Sequence, residues 1–81
     1  MSERMQVVVA VFEHRFGTDV RVFKKIEGAD EWRNQIGDEW WDREFPGDER
    51  PDPDEIGKVY FDAMSESGDE YFSVHTATVE S

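Results

Sequence analysis

The run Gln6–His14, QVVVAVFEH, restricts the fold more than any other segment of the chain. Valine favours extended backbone. Both alternating sets are apolar, with Val7, Val9 and Val11 on one face and Val8, Ala10 and Phe12 on the other. A strand apolar on both faces belongs in the centre of its sheet. In Arg15-Phe16-Gly17-Thr18 the glycine supplies a positive φ without a steric clash, which predicts a hairpin. The next segment, Thr18–Lys25, alternates Val20 and Val22 with Arg21 and Phe23, the period of a half-exposed strand. Its lysines suit a sheet edge, where charge discourages further pairing.

Two helices follow. In Gly28–Phe45, Ala29, Trp32, Ile36 and Trp40 recur at three- and four-residue spacing and form one stripe. Gly28 is a candidate N-cap, and Asp30 and Glu31 would oppose the positive end of the helix dipole. Gly37 is a weak point, about 1 kcal/mol worse than alanine in a helix interior, where the helix is expected to bend or break. Two prolines and a glycine make Pro46–Pro51 a loop. In the second helix Asp52 would be the cap, Pro53 the first helical residue and Glu55 the capping-box partner. Ile56, Val59, Tyr60, Ala63 and Met64 make its apolar stripe, and Gly68 its stop. Glu70–Glu80 alternates well enough for a third strand, with Phe72, Val74, Thr76 and Thr78 on one side.

The expected class is therefore α+β with element order ββααβ, a three-stranded sheet with two helices packed on one face. The first strand lies in the middle, and the direction of the third is left open. Placing Val7, Val9 and Val11 toward the helices leaves Val8, Ala10, Phe12 and Phe23 on the open face, as a surface for a second copy of the chain. The 81 residues make one small domain, 1–81, with residues 1–5 and 80–81 expected to fray. No run of about 18 apolar residues is present to cross a membrane, and no charged-then-apolar leader is recognised. There is no cysteine, hence no disulfide, thiolate chemistry or Cys-based zinc site, and a cytoplasmic location is expected.

Charge is the most specific signal. The formal net charge is −11, which argues against a surface that meets nucleic acid or anionic lipid directly. Residues 26–70 hold sixteen acids and four bases, while the other 36 residues are nearly neutral. The acidity therefore belongs to the helical layer and its loops. One reading is solvation alone, as in a small housekeeping or halophile-type domain that dimerises through its sheet. The other is an acidic docking surface for a basic protein groove. Carboxylates three or four residues apart on a helix have Cβ atoms about 5–6 Å apart, comparable with phosphates along a nucleic-acid strand. Asp38, Glu39 and Asp42, followed by Glu44, Asp48 and Glu49, are the candidate line.

No catalytic motif stands out. His14 and His75 lie on strands and, with Glu13 or Asp19, could be drawn as a general-base pair. There is, however, no nucleophile elbow and no Gly-rich phosphate loop, and the chain is not expected to be an enzyme. Asp48–Glu55 is rich in carboxylates, but two prolines and an arginine replace the turn geometry of a calcium loop. No metal or cofactor is expected. Of the helical aromatics Trp32, Trp40, Trp41, Phe45, Tyr60 and Phe61, four suit the core. Trp41 and Phe61 fall off the main stripes, which makes Trp41 the candidate hydrophobic contact amid the carboxylates.

In size, charge, lack of cysteine and ββααβ order the chain resembles small acidic inhibitor proteins of phages and other mobile elements, the anti-CRISPR and anti-restriction DNA mimics. Its EHRFGTDVRVF stretch also resembles the opening hairpin of small prokaryotic proteins without an assigned activity. The resemblance implies a non-enzymatic protein-protein interaction module. Its partner would be a basic, nucleic-acid-binding protein surface, met through Asp38, Glu39, Trp41, Asp42, Glu44, Asp48 and Glu49.

Overall fold

The computed structural model describes residues 4–80. Its elements are β1 (Arg4–His14), β2 (Gly17–Phe23), α1 (Ile26–Glu44), α2 (Ile56–Ser67) and β3 (Tyr71–Glu80). The sheet order is β2-β1-β3. The valine-rich strand is therefore central, and both its pairings are antiparallel. A helix pair running antiparallel alongside the strands would have returned the chain parallel to β1. The antiparallel β3 shows that the helices do not follow that path. Arg4, Met5 and Glu80, expected to fray, are in register as Arg4↔Glu80 and Met5↔Val79; residues 1–3 and 81 lie outside the described residues.

The two-residue turn Arg15-Phe16 closes the first hairpin, and Gly17 sits at φ 138°, a conformation glycine alone adopts without strain. The sheet turns the opposite way from the expectation above. Val8, Ala10 and Phe12 are buried under the helices, while Val7, Val9 and Val11 are half-buried on the open face. The period of two cannot choose between two apolar faces, but ring packing can. Phe12 meets Trp32 and Phe61 edge-on at 6.4 and 5.5 Å, and Phe72 joins both at 5.4 and 5.2 Å. A flat valine face offers the helices no such interlock.

Helix boundaries differ from the sequence reading for identifiable reasons. Helix α1 starts at Ile26, with Lys25 as its N-cap residue and Glu27 in the first turn. Gly28 is not the cap: a Cβ there would lie 2.6 Å from Cδ1 of Phe23, so glycine lets the helix close on the β2 ring. Gly37 does not break the helix either. A Cβ at Gly37 would lie 2.9 Å from the carbonyl oxygen of Ile56, and one at Gly57 2.7 Å from the backbone of Arg33 and Asn34. The two glycines form the crossing point at which α1 and α2 approach.

Helix α2 begins at Ile56, and the expected Asp52–Glu55 capping box is absent. The Asp52 carbonyl accepts from the N–H of Glu55 and Ile56 in a preceding turn. Asn34 of α1 supplies the cap instead: its Oδ1 accepts from the Gly57 N–H at 2.9 Å. Gly68 ends α2 in the left-handed conformation, φ 81°, as expected.

Phe61 is also core, not exposed, and Tyr60 is wholly inaccessible. The molecule is elongated, with a radius of gyration of 14.6 Å against about 12 Å for a compact domain of this length. Part of the reason is a bare ribbon. β2 pairs only with Val8–His14, so Arg4–Val7 has β3 alone beside it. Gln6, Thr76 and Thr78, on the helix side of that ribbon, are exposed.

Candidate partner-binding surface

The helices carry the negative charge outward. Of the sixteen acids in residues 26–70, all but Asp30 and Glu70 are exposed. Helical spacing places Glu31, Asp38 and Asp42 on the outer stripe of α1. The loop after α1 continues with exposed Asp48 and Glu49, and Asp52, Asp54 and Glu55 lead into α2. Asp62, Glu66 and Asp69 extend the charge to its far end.

The candidate line does not stay whole. Arg50 folds back from the loop onto α1, donating from Nη1 to Asp42 at 3.0 Å and from Nη2 to the Asp38 carboxylate and, at 2.9 Å, to the Asp38 carbonyl. The hydrogen bond to Asp38 raises the guanidinium pKa above its ordinary value, as do the charges of both aspartates. Asp38 and Asp42 are thus partly neutralised, and they hold the loop against the helix. Arg50 was missed as a site residue. As the single base of the loop, set among Asp48, Glu49 and Asp52, it was the available signal. Glu39 and Glu44 depart in another direction, toward a cleft of about 440 Å³ between the hairpin end and the second half of α1. In its walls Arg21 stacks over the Trp32 ring at 4.7 Å and Arg43 over Trp40 at 5.3 Å. The cleft therefore mixes both signs of charge.

Trp41 is not at the surface. It is 5% exposed, packs on Phe45 at 4.6 Å between ring centroids, and Phe45 in turn meets Tyr60 edge-on at 6.0 Å. The single-stripe reading of α1 allowed for the sheet only. The crossing with α2 buries a second side of the helix, and Trp41 lies there. Trp40, placed in the core stripe, is the half-buried one.

The proposed histidine pair does not form. His14 lies on the helix side of the sheet and lines the cleft, whereas His75 sits beside Val9 on the open face. Both nitrogens of His14 are engaged. Nδ1 accepts from the Phe16 N–H at 3.3 Å, so Nε2 carries the proton and donates to Asp19 at 3.0 Å. The ring thereby ties the β1–β2 turn together. Among the described residues no cluster of three or more His, Asp or Glu side chains could hold a metal ion.

One polar pair reaches into the core. The Tyr60 hydroxyl donates to Glu70 Oε1 at 2.7 Å. Burial, and then this hydrogen bond, hold the phenol pKa well above its ordinary value. Among the described residues no helix is long and apolar enough to cross a membrane. Comparison with protein-family models, with curated proteins and with solved structures finds no match to this chain.

Proposed function

We propose that this chain is a non-enzymatic interaction module whose acidic helical layer docks on a basic protein surface that otherwise holds nucleic acid. The observation that carries this reading is the segregation of charge: fourteen exposed carboxylates on the helical layer and its loops, against a sheet whose outward rows are almost uncharged. Carboxylates on helices are pre-organised, so docking orders fewer side chains than a disordered acidic tail would.

We choose the contacting set from the exposed carboxylates of α1 and its following loop. Glu31, Glu39, Asp48 and Glu49 have no arginine or lysine partner within ion-pair distance among the described residues. Asp38 and Asp42 would add charge only in company with Arg50. Trp41 is removed from the surface, because it is core. Changing Glu31, Glu39, Asp48 and Glu49 together to Lys should leave the fold intact and weaken partner binding by about two orders of magnitude, since each rim charge contributes modestly. The test captures proteins from the source cell extract at low and at high salt. The nucleic-acid affinity of each purified captured protein is then measured with and without this chain. Competition by the wild type but not by the fourfold variant is expected. If the variant competes equally well, the acidity serves solvation only.

A further inference from the structure

The face of the sheet opposite the helices has no cover. Cross-strand register puts Met5 beside Val79, Val7 beside Ala77, Val9 between Val22 and His75, and Val11 between Val20 and Ser73. Directly paired residues share a face, so these side chains form one continuous apolar surface. Val20 and Val22 are 57% and 61% exposed, Met5 and Val79 56% and 51%. The one carboxylate in these rows is Glu13, in the end row between Thr18 and Tyr71. In a chain of net charge −11, this is the surface that carboxylates avoid.

We infer that this face binds the same face of a second copy of the chain, giving a two-fold sandwich with both helical layers outside. Three observations select a second copy. The face is self-complementary in character: largely apolar and rich in valine, with Glu13 in its end row as the one carboxylate. The size is adequate. At about 3.3 Å per residue and about 4.8 Å between strands, the face is roughly 33 Å long, about 14 Å wide where β2 is present and about 10 Å wide along the Arg4–Val7 ribbon. Two such faces with their side-chain relief reach the lower end of specific interfaces, about 1,200 Å² in total. The electrostatics also permit it. Packed sheets lie about 10 Å apart, and each acidic layer sits beyond its own sheet. The two layers are then separated by more than the roughly 8 Å screening length at physiological salt. Contact through the outer face of the helical layer would press carboxylate against carboxylate. The sandwich also covers one side of the Arg4–Val7 ribbon, which a monomer leaves bare on both sides.

The test is sedimentation or light scattering of the purified chain over a dilution series reaching about 100 µM, because a dimer of this size dissociates with dilution. A dimer is expected, and it should tighten with added NaCl, which screens the residual repulsion. Changing Val20 and Val22 together to Lys should shift the mass to that of a monomer, with the helical circular-dichroism signal unchanged. The pair Val20→Thr and Val22→Thr keeps strand propensity and guards against misfolding; it should raise the dissociation constant at least tenfold. Val59→Lys, on an exposed part of α2, should leave the dimer intact. A wild type monomeric at 100 µM overturns the inference. So does a dimer that the threonine pair leaves unchanged. Neither result bears on the acidic layer, which is tested through its own partner.

Discussion

Three residues show how local chemistry resists a pattern. Gly37 reads as a weak helix position, yet it and Gly57 each lie where a neighbouring backbone passes. Alanine at Gly57 would gain at most about 1 kcal/mol of helix propensity. Its Cβ would lie 2.7 Å from the backbone of Arg33 and Asn34, and backbone cannot rotate aside. Forcing the helices apart typically costs about 1–3 kcal/mol. Gly57→Ala should therefore destabilise the chain in urea unfolding. Gly37→Ala should do the same, and the double variant should lose less than the sum, because both enlarge one crossing. A stabilised Gly57→Ala would mean that the helices cross elsewhere. Tyr60 gives a second prediction at this scale. Unfolded, its phenol titrates near 10.0; folded, it keeps its proton to higher pH. The raised folded value means that its stabilisation is complete below pH 10 and is lost as pH rises through and beyond it, by about 1.4 kcal/mol per pH unit for one proton. Tyr60→Phe should be less stable at pH 8 by about 1.5–3 kcal/mol, from the lost bond to Glu70. It should also flatten the decline between pH 9 and 11. Equal slopes in the two proteins would show that other groups govern alkaline unfolding.

At the scale of elements, the legible features were those set by one neighbour or none. The central position of β1 follows from valines on both faces. The hairpin glycine, the Pro46–Pro51 loop and the Gly68 stop follow from backbone rules that need no tertiary partner. What escaped was set by a second neighbour. The sheet could have turned either face to the helices, and Phe12, Phe23 and Phe72 decided it through rings supplied by α1 and α2. Trp41 lies off the stripe that faces the sheet but on the side that α2 covers, whereas Phe61 turns to the sheet rings of Phe12 and Phe72. The capping box of α2 was locally plausible, but Asn34, twenty-three residues before Gly57, performs the capping. In the candidate surface, sequence located the charge, since Asp38, Glu39, Asp42, Glu44, Asp48 and Glu49 are all exposed. It could not show that Arg50 would close on two of them or that Glu39 and Glu44 would face a cleft.

At the scale of the whole molecule the chain is a plate with unlike sides, one dense in carboxylate and one apolar. Salt stabilises the fold through the acidic side only if that side repels itself. Fourteen exposed carboxylates meet few cations, and the clasp of Arg50 relieves two of them. Repulsion between exposed charges is screened over about 8 Å at 0.15 M and about 3 Å at 1 M. The melting temperature should therefore climb as NaCl rises from about 10 mM through that range. Much of the gain should come early, while the screening length falls toward the spacing between neighbouring carboxylates. The apolar side adds its own increment, because a dimer stabilises the fold by mass action and is itself favoured by salt. The lysine pair at Val20 and Val22 separates the two contributions. In that monomer the melting temperature should still rise with NaCl but should no longer depend on protein concentration. Exchanging Glu31, Glu39, Asp48 and Glu49 for Lys should do the reverse: concentration dependence stays, and the early rise with salt largely disappears. A melting temperature indifferent to NaCl in the wild type would mean that the carboxylates are compensated where they stand, leaving no excess negative field to draw a basic partner.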